Sequence, residues 1–196
     1  MIAGVAGGIR LDVPERRDVR PTIDRVREAT FNALFSLGVI EDARVLDLFA
    51  GTGALGIEAL SRGAAHAVFV ETERATAEVV TANLQRCKLD HLATVTVSDA
   101  NAWLDRFGNS SPTDVSTPEF DLALLDPPYA FQGWSDLLAR VPAELLVVES
   151  GRKVDLDPTF EVVRERRYGS TVVSILRAPD SARSTGRVAT DLGGDQ

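Results

Sequence analysis

From Arg44 onward, short apolar runs alternate with stretches in which apolar residues recur every three or four positions. Those two periods predict strands and helices in turn. The expected strands are 44–49, 67–71, 93–97, 120–125 and 144–149, and the expected helices are 54–62, closed by Gly63, then 74–87 and a short one at 101–106. Such alternation argues for an α/β fold with a parallel sheet and right-handed crossovers. Two further runs, 161–167 and 170–177 around Tyr168-Gly169, predict a terminal antiparallel pair.

Ahead of Arg44 the pattern is different. Residues 2–5 and 9–13 flank Ala6-Gly7-Gly8 and read as a β-hairpin with a glycine turn. Residues 14–21 form an arginine-rich stretch without periodicity. Thr22 is a candidate N-cap for a helix to about Leu37, with Val26, Ala29, Thr30, Ala33 and Leu34 on one face and Gly38 ending it. Residues 108–119 are polar and turn-rich, as expected of a mobile surface loop, and those beyond Pro179 have almost no apolar content, as expected of a disordered tail. The expected organisation is an N-terminal hairpin-and-helix extension (1–40) that faces RNA, a sheet domain (41–178) and a tail (179–196).

Length and composition narrow the classes. The chain has 196 residues, 44% hydrophobic and 26% charged, as in a soluble single-domain protein. It has no apolar run of membrane-spanning length and no signal-peptide core, so a cytoplasmic protein without a membrane partner is expected. One cysteine and two histidines leave no basis for a disulfide or a structural metal. A net charge of −8 argues against a general nucleic-acid binder. Residues 1–35, however, carry six arginines (Arg10, Arg16, Arg17, Arg20, Arg25 and Arg27) against five acids, which leaves −9 for the remainder. A polyanion would therefore meet the N-terminal arm; the bland alternative is solvated surface arginine.

The most specific chemistry follows the 120–125 strand, in Asp126-Pro127-Pro128-Tyr129. Open α/β sheets place ligands at such strand ends. Asp126 and a carbonyl locked by the following proline accept hydrogen bonds from an exocyclic amine, and Tyr129 offers a face for a planar base. Phe131 and Trp134 either line the entrance or belong to the core.

The first strand runs into Asp47-Leu48-Phe49-Ala50-Gly51-Thr52-Gly53-Ala54-Leu55-Gly56, and Glu71 lies 20 residues after Gly51. The glycines alone fit either a dinucleotide or another adenosine cofactor. Asp47 separates the two, because a carboxylate beside a pyrophosphate is unfavourable. It favours a cationic ligand such as S-adenosylmethionine, with Glu71 on the ribose hydroxyls and Asp99 with Ala100 bordering the adenine. The plainer alternatives are a helix N-cap for Asp99 and a strand-end surface acid for Glu71.

Taken in order, these residues resemble the class I S-adenosylmethionine-dependent methyltransferases. More specifically they resemble the RsmD family, the bacterial 16S rRNA (guanine(966)-N(2))-methyltransferases. The likeness rests on Arg20-Pro21-Thr22, Asp24 to Glu28, Phe31-Asn32, the run from Asp47 to Ala64, Asp126 to Tyr129, and Val148-Glu149. It implies a Rossmann-like, mostly parallel seven-stranded sheet of order 3-2-1-4-5-7-6 with strand seven antiparallel. It also implies cofactor contacts from Asp47, Phe49, Ala50, Gly51, Thr52, Gly53, Glu71, Asp99, Ala100 and Asp126. Catalysis falls to Asp126, Pro127, Pro128 and Tyr129, and phosphate contacts to the six arginines. The implied substrate is 16S rRNA in an assembling 30S particle, bound by a monomer. Competing readings are an adenine-N6 or glutamine-N5 methyltransferase of the same fold, a nicotinamide-dependent oxidoreductase, and a non-catalytic rRNA assembly factor.

Overall fold

The computed structural model describes residues 1–13, 21–110 and 119–179. Among these residues seven strands make one mixed sheet: β1 (Arg44–Asp47), β2 (His66–Glu71), β3 (Ala93–Val97), β4 (Phe120–Leu125), β5 (Ala143–Ser150), β6 (Glu161–Tyr168) and β7 (Thr171–Arg177). Their order is β3-β2-β1-β4-β5-β7-β6. Strands β1 to β5 pair in parallel, and β7 runs antiparallel to both β5 and β6. The helices are α1 (Pro21–Ser36), α2 (Ala54–Ser61), α3 (Arg74–Cys87), α4 (Ala100–Ser110) and α5 (Trp134–Leu138). Among the described residues no helix is long and apolar enough to cross a membrane.

The continuous apolar strands have a simple cause: successive side chains point to opposite faces, and both faces are covered. Val45, Phe69, Leu122, Leu124, Leu145 and Val147 pack on one side with Val26, Phe31 and Leu34 of α1, Ile57 and Leu60 of α2, and Val80 and Leu84 of α3. Their neighbours Leu46, Val70, Ala123, Leu125, Leu146 and Val148 pack on the other side with Leu104 of α4 and Trp134, Leu137 and Leu138 of α5. Each fully buried Leu, Val or Phe contributes roughly 1.5–3 kcal/mol.

The N-terminal segment departs from expectation. Residues 1–13 contain turns and no strand. The amides of Ile2 and Ala3 donate instead to the Glu58 carboxylate of α2 (2.9 and 3.1 Å), and the amide of Val5 donates to the Ser61 carbonyl (2.8 Å). A buried acid thus takes the place of a partner strand. Helix α1 opens at Pro21, whose missing N–H suits a first turn, so Thr22 lies inside the helix and is not its cap. Helix α4 continues to Ser110, past the expected end at Arg106, and so takes in the first residues of the predicted loop. Residues 111–118 and 180–196, the rest of that loop and nearly all of the tail, lie outside the described residues.

Candidate functional site

Every parallel strand ends in or is followed by an acid. Asp47 closes β1, Glu71 closes β2, Asp99 follows β3, Asp126 follows β4 and Glu149 lies near the end of β5. Parallel pairing brings these ends to one edge of the sheet, and the chain reverses its strand order between β1 and β4, where ligands of open α/β sheets sit.

The glycine loop lies at that reversal. Gly51 and Gly53 have φ of 55° and 78°, in the left-handed region where glycine carries no steric cost. Gly53 is the N-cap of α2 and has no side chain with which to cap it. Asp47 does so from β1: its Oδ2 accepts the amide of Gly56 at 2.9 Å. A methyl group at Gly56 would fall 2.3 Å from the Phe69 ring, so only glycine lets helix and strand approach this closely. Glu71 braces the loop from β2, accepting the amides of Gly51 (2.8 Å) and Glu73 (2.9 Å). Ala50 donates to the Val70 carbonyl (3.0 Å), and the Thr52 carbonyl accepts from Asn83 (3.0 Å). Asn83 also bonds both backbone groups of Asp12, which fastens the N-terminal segment to the loop.

Electrostatics follow from burial. Asp47 is almost fully buried, and desolvation raises its pKa to about 7; the Gly56 amide opposes the shift, while Asp126 and Glu71 add to it. Burial raises Glu149 to about 8, helped by Asp126 and opposed by Arg27. Arg27 is thus turned inward from α1: its side chain is 12% exposed, it pairs with Asp24 at 2.9 Å, and its Nε has no partner among the described residues. An edge with this charge disfavours a pyrophosphate and suits a ligand that carries cations and hydroxyls.

Beyond β4 the chain builds a shallow, open pocket lined by Pro127, Pro128, Tyr129, Phe131, Trp134, Ser150, Gly151 and Arg152. Tyr129 is 65% exposed, its ring is within contact of the space beside Gly151, and its hydroxyl lies 3.3 Å from that of Thr171. Phe49 meets Phe131 edge-on at 5.6 Å, and Phe131 meets Trp134 at 5.1 Å. This aromatic chain links the glycine loop to the pocket; Trp134 is a buried core residue, Phe131 packs against that core, and both line the pocket.

The remaining expected residues fall as follows. Asp99 caps α4 through the amide of Ala102 (3.1 Å), and Ala100 is buried. Arg10 and Arg25 are exposed. Arg16, Arg17 and Arg20 lie outside the described residues. Glu149, Thr171 and Gly151 were not singled out as site residues in the sequence. The strand-end rule applied to the fifth strand points to Glu149, whereas no local signal marks Thr171 or Gly151.

The family model described as Conserved hypothetical protein 95 matches residues 1–177. Ribosomal RNA small subunit methyltransferase D of Escherichia coli K12 is 43% identical over 129 residues, which is 66% of this chain and 59% of that protein. The chain thus covers less than two thirds of that relative. YlbH of Bacillus subtilis is 33% identical over 187 residues, covering 90% of this chain and 97% of that protein. The solved structure of YhhF from Escherichia coli superposes with a TM-score of 0.74 at 33% identity, covering 91% of this chain and 97% of that one.

Proposed function

The chain belongs to the conserved hypothetical protein 95 family, the RsmD family, and from that premise we propose that it methylates small-subunit ribosomal RNA, using S-adenosylmethionine. The proposed target is the exocyclic N2 amine of a guanine, with guanine 966 of 16S rRNA, the family's site, as the expected nucleotide. One observation carries the reading: acids from the ends of β1, β2 and β4 gather at the sheet edge that holds the glycine loop, beside a pocket lined by Pro127, Pro128 and Tyr129.

The residues present fit the cofactor. Asp47 and Glu71 would offer carboxylate oxygens to an ammonium and to ribose hydroxyls, Asp99 and Ala100 would border the adenine, and the Gly51–Gly53 backbone would permit close approach. S-adenosylmethionine supplies an electrophilic methyl carbon. The protein's part is to aim the amine at it. A guanine amine is a weak nucleophile because its lone pair is delocalised into the ring. Asp126 and the Pro127 carbonyl accept its N–H groups and direct the lone pair towards the methyl carbon. Transfer of that methyl group would release S-adenosylhomocysteine, and Asp126, which is open to solvent, would receive the amine proton. Positioning and electrostatics supply most of the acceleration. The base reaches this pocket only when unstacked, with Tyr129 as its platform.

Mapping methylated nucleotides in 16S rRNA from cells with and without the gene tests the proposal. The expected result is one N2-methylguanine that disappears with the gene. An unchanged map, or the loss of a methyladenine instead, would overturn the assignment.

A further inference from the structure

Strand β6 forms the outer edge of the sheet, and its sequence, Glu-Val-Val-Arg-Glu-Arg-Arg-Tyr, holds three arginines in eight residues of a chain whose net charge is −8. Its partners on β7 sort these residues by face. Arg164, Arg166 and Tyr168 stand opposite Ile175, Val173 and Thr171, while Glu165 and Arg167 stand opposite Ser174 and Val172. Val173 and Ile175 belong to the core beneath α1. Arg164, Arg166 and Tyr168 therefore face α1, and with Ala29, Thr30 and Ala33 they line a shallow, open groove.

We propose that this groove is a track for the RNA backbone, in which Arg164 and Arg166 hold phosphates of the strand that presents the target base to Tyr129. The inference rests on the RNA reading above and adds a contact surface remote in sequence from the N-terminal arginines. Three observations carry it. Two residues apart on a strand, the guanidinium groups spring from points about 6.6 Å apart, on one face and in one direction. Neither forms an ion pair among the described residues, whereas Glu165, on the opposite face, pairs with Lys153 at 3.3 Å. The groove also leads to the pocket: Tyr168 stands opposite Thr171, and the Thr171 hydroxyl lies 3.3 Å from that of Tyr129.

Charged edge strands also serve to prevent edge-to-edge pairing. That role accounts for charge on β6, but not for two unpaired arginines on the groove face with the paired acid on the other.

The test uses the full chain and small-subunit particles from cells lacking the gene. Wild type is compared with Arg164→Gln/Arg166→Gln, which keeps long polar stems on the strand, and with Arg164→Lys/Arg166→Lys, which keeps the charge. Affinity for the particles is measured against salt, and affinity for S-adenosylhomocysteine serves as a control for folding. Each phosphate contact on a single strand contributes a slope of about −0.7 in log affinity against log salt. The glutamine pair is expected to bind more weakly and to flatten the slope by about 1.4, the lysine pair to keep it, and all three proteins to bind S-adenosylhomocysteine alike. Equal slopes for wild type and the glutamine pair, or equal losses in the lysine and glutamine pairs, would overturn the track. A wild-type protein that neither binds nor methylates these particles is a separate result, and it would sink the RNA reading itself.

Discussion

Asp126 sits where two demands meet. It accepts from the target amine in the proposed chemistry, and its charge raises the pKa of both Asp47 and Glu149. Asp126→Ala is therefore expected to slow methyl transfer on the order of 10²-fold or more, the cost of deleting one preorganised polar contact. It should also let Asp47 and Glu149 ionise at lower pH. Single-turnover rates with saturating cofactor check the first effect; a rate near wild type would remove Asp126 from its role. Tyr129 separates into ring and hydroxyl. Tyr129→Phe keeps the platform and loses only the contact with Thr171, so little change is expected. Tyr129→Ala removes a stacking face worth about 1–3 kcal/mol, which should appear as weaker RNA binding with S-adenosylhomocysteine affinity intact. If the two variants behave alike, the ring is not the platform.

At the scale of elements, the sequence was most legible where one signal dominated. The limits of α3, β3 and β4 agree with their predicted ranges, because uninterrupted apolar runs and a clear helical period leave little choice. The glycine loop and the Asp-Pro-Pro-Tyr turn were legible for the same reason. Misreadings arose where a distant partner decides. The apolar residues near the N-terminus imitate a hairpin, yet their amides are satisfied by Glu58, a residue about 55 positions away. Glycine and polar residues suggested that α4 ends at Arg106, but the helix runs on to Ser110; within it Trp103 stacks on Phe107 at 4.7 Å and both rings lean on Phe120. Helix α5 has only five residues, too few for a helical period to register. Gly56 shows what the glycine pattern encodes beyond turn geometry. Alanine there would gain up to about 1 kcal/mol of helix propensity. It would also drive a methyl group to 2.3 Å from Phe69 and 3.1 Å from the Asp47 carboxylate. Overpacking of this kind costs about 1–3 kcal/mol, so Gly56→Ala should lower stability in urea titrations and weaken cofactor binding. A variant as stable as wild type would show that α2 can move away from β2 without cost.

Across the whole molecule, the acids gathered at one sheet edge make folding and binding respond to pH in opposite directions. Asp47 and Glu149 have ordinary values of 3.8 and 4.5, and in the folded chain burial raises them to about 7 and about 8. Groups raised on folding bind more protons in the native state than in the unfolded state. Their contribution to stability is therefore complete below about pH 4 and is lost as pH rises through 7 and 8. The melting temperature of the unliganded protein should fall across that window. A ligand carrying an ammonium or sulfonium favours the ionised carboxylates, so its affinity should rise over the same range with release of protons on binding. Glu149→Gln separates the two groups: it keeps a neutral side chain of the same shape, so it should match wild type near pH 4 and be more stable than wild type at neutral pH, because the part of the decline that runs from about pH 4.5 to about 8 is removed. Thermal melts of both proteins from pH 5 to 9, with and without S-adenosylmethionine, make the comparison. A melting temperature that rises from pH 6 to 8 without ligand, or cofactor affinity that falls over that interval, would mean that these carboxyls are already ionised in the free protein and that the crescent of acids is neutralised by other means.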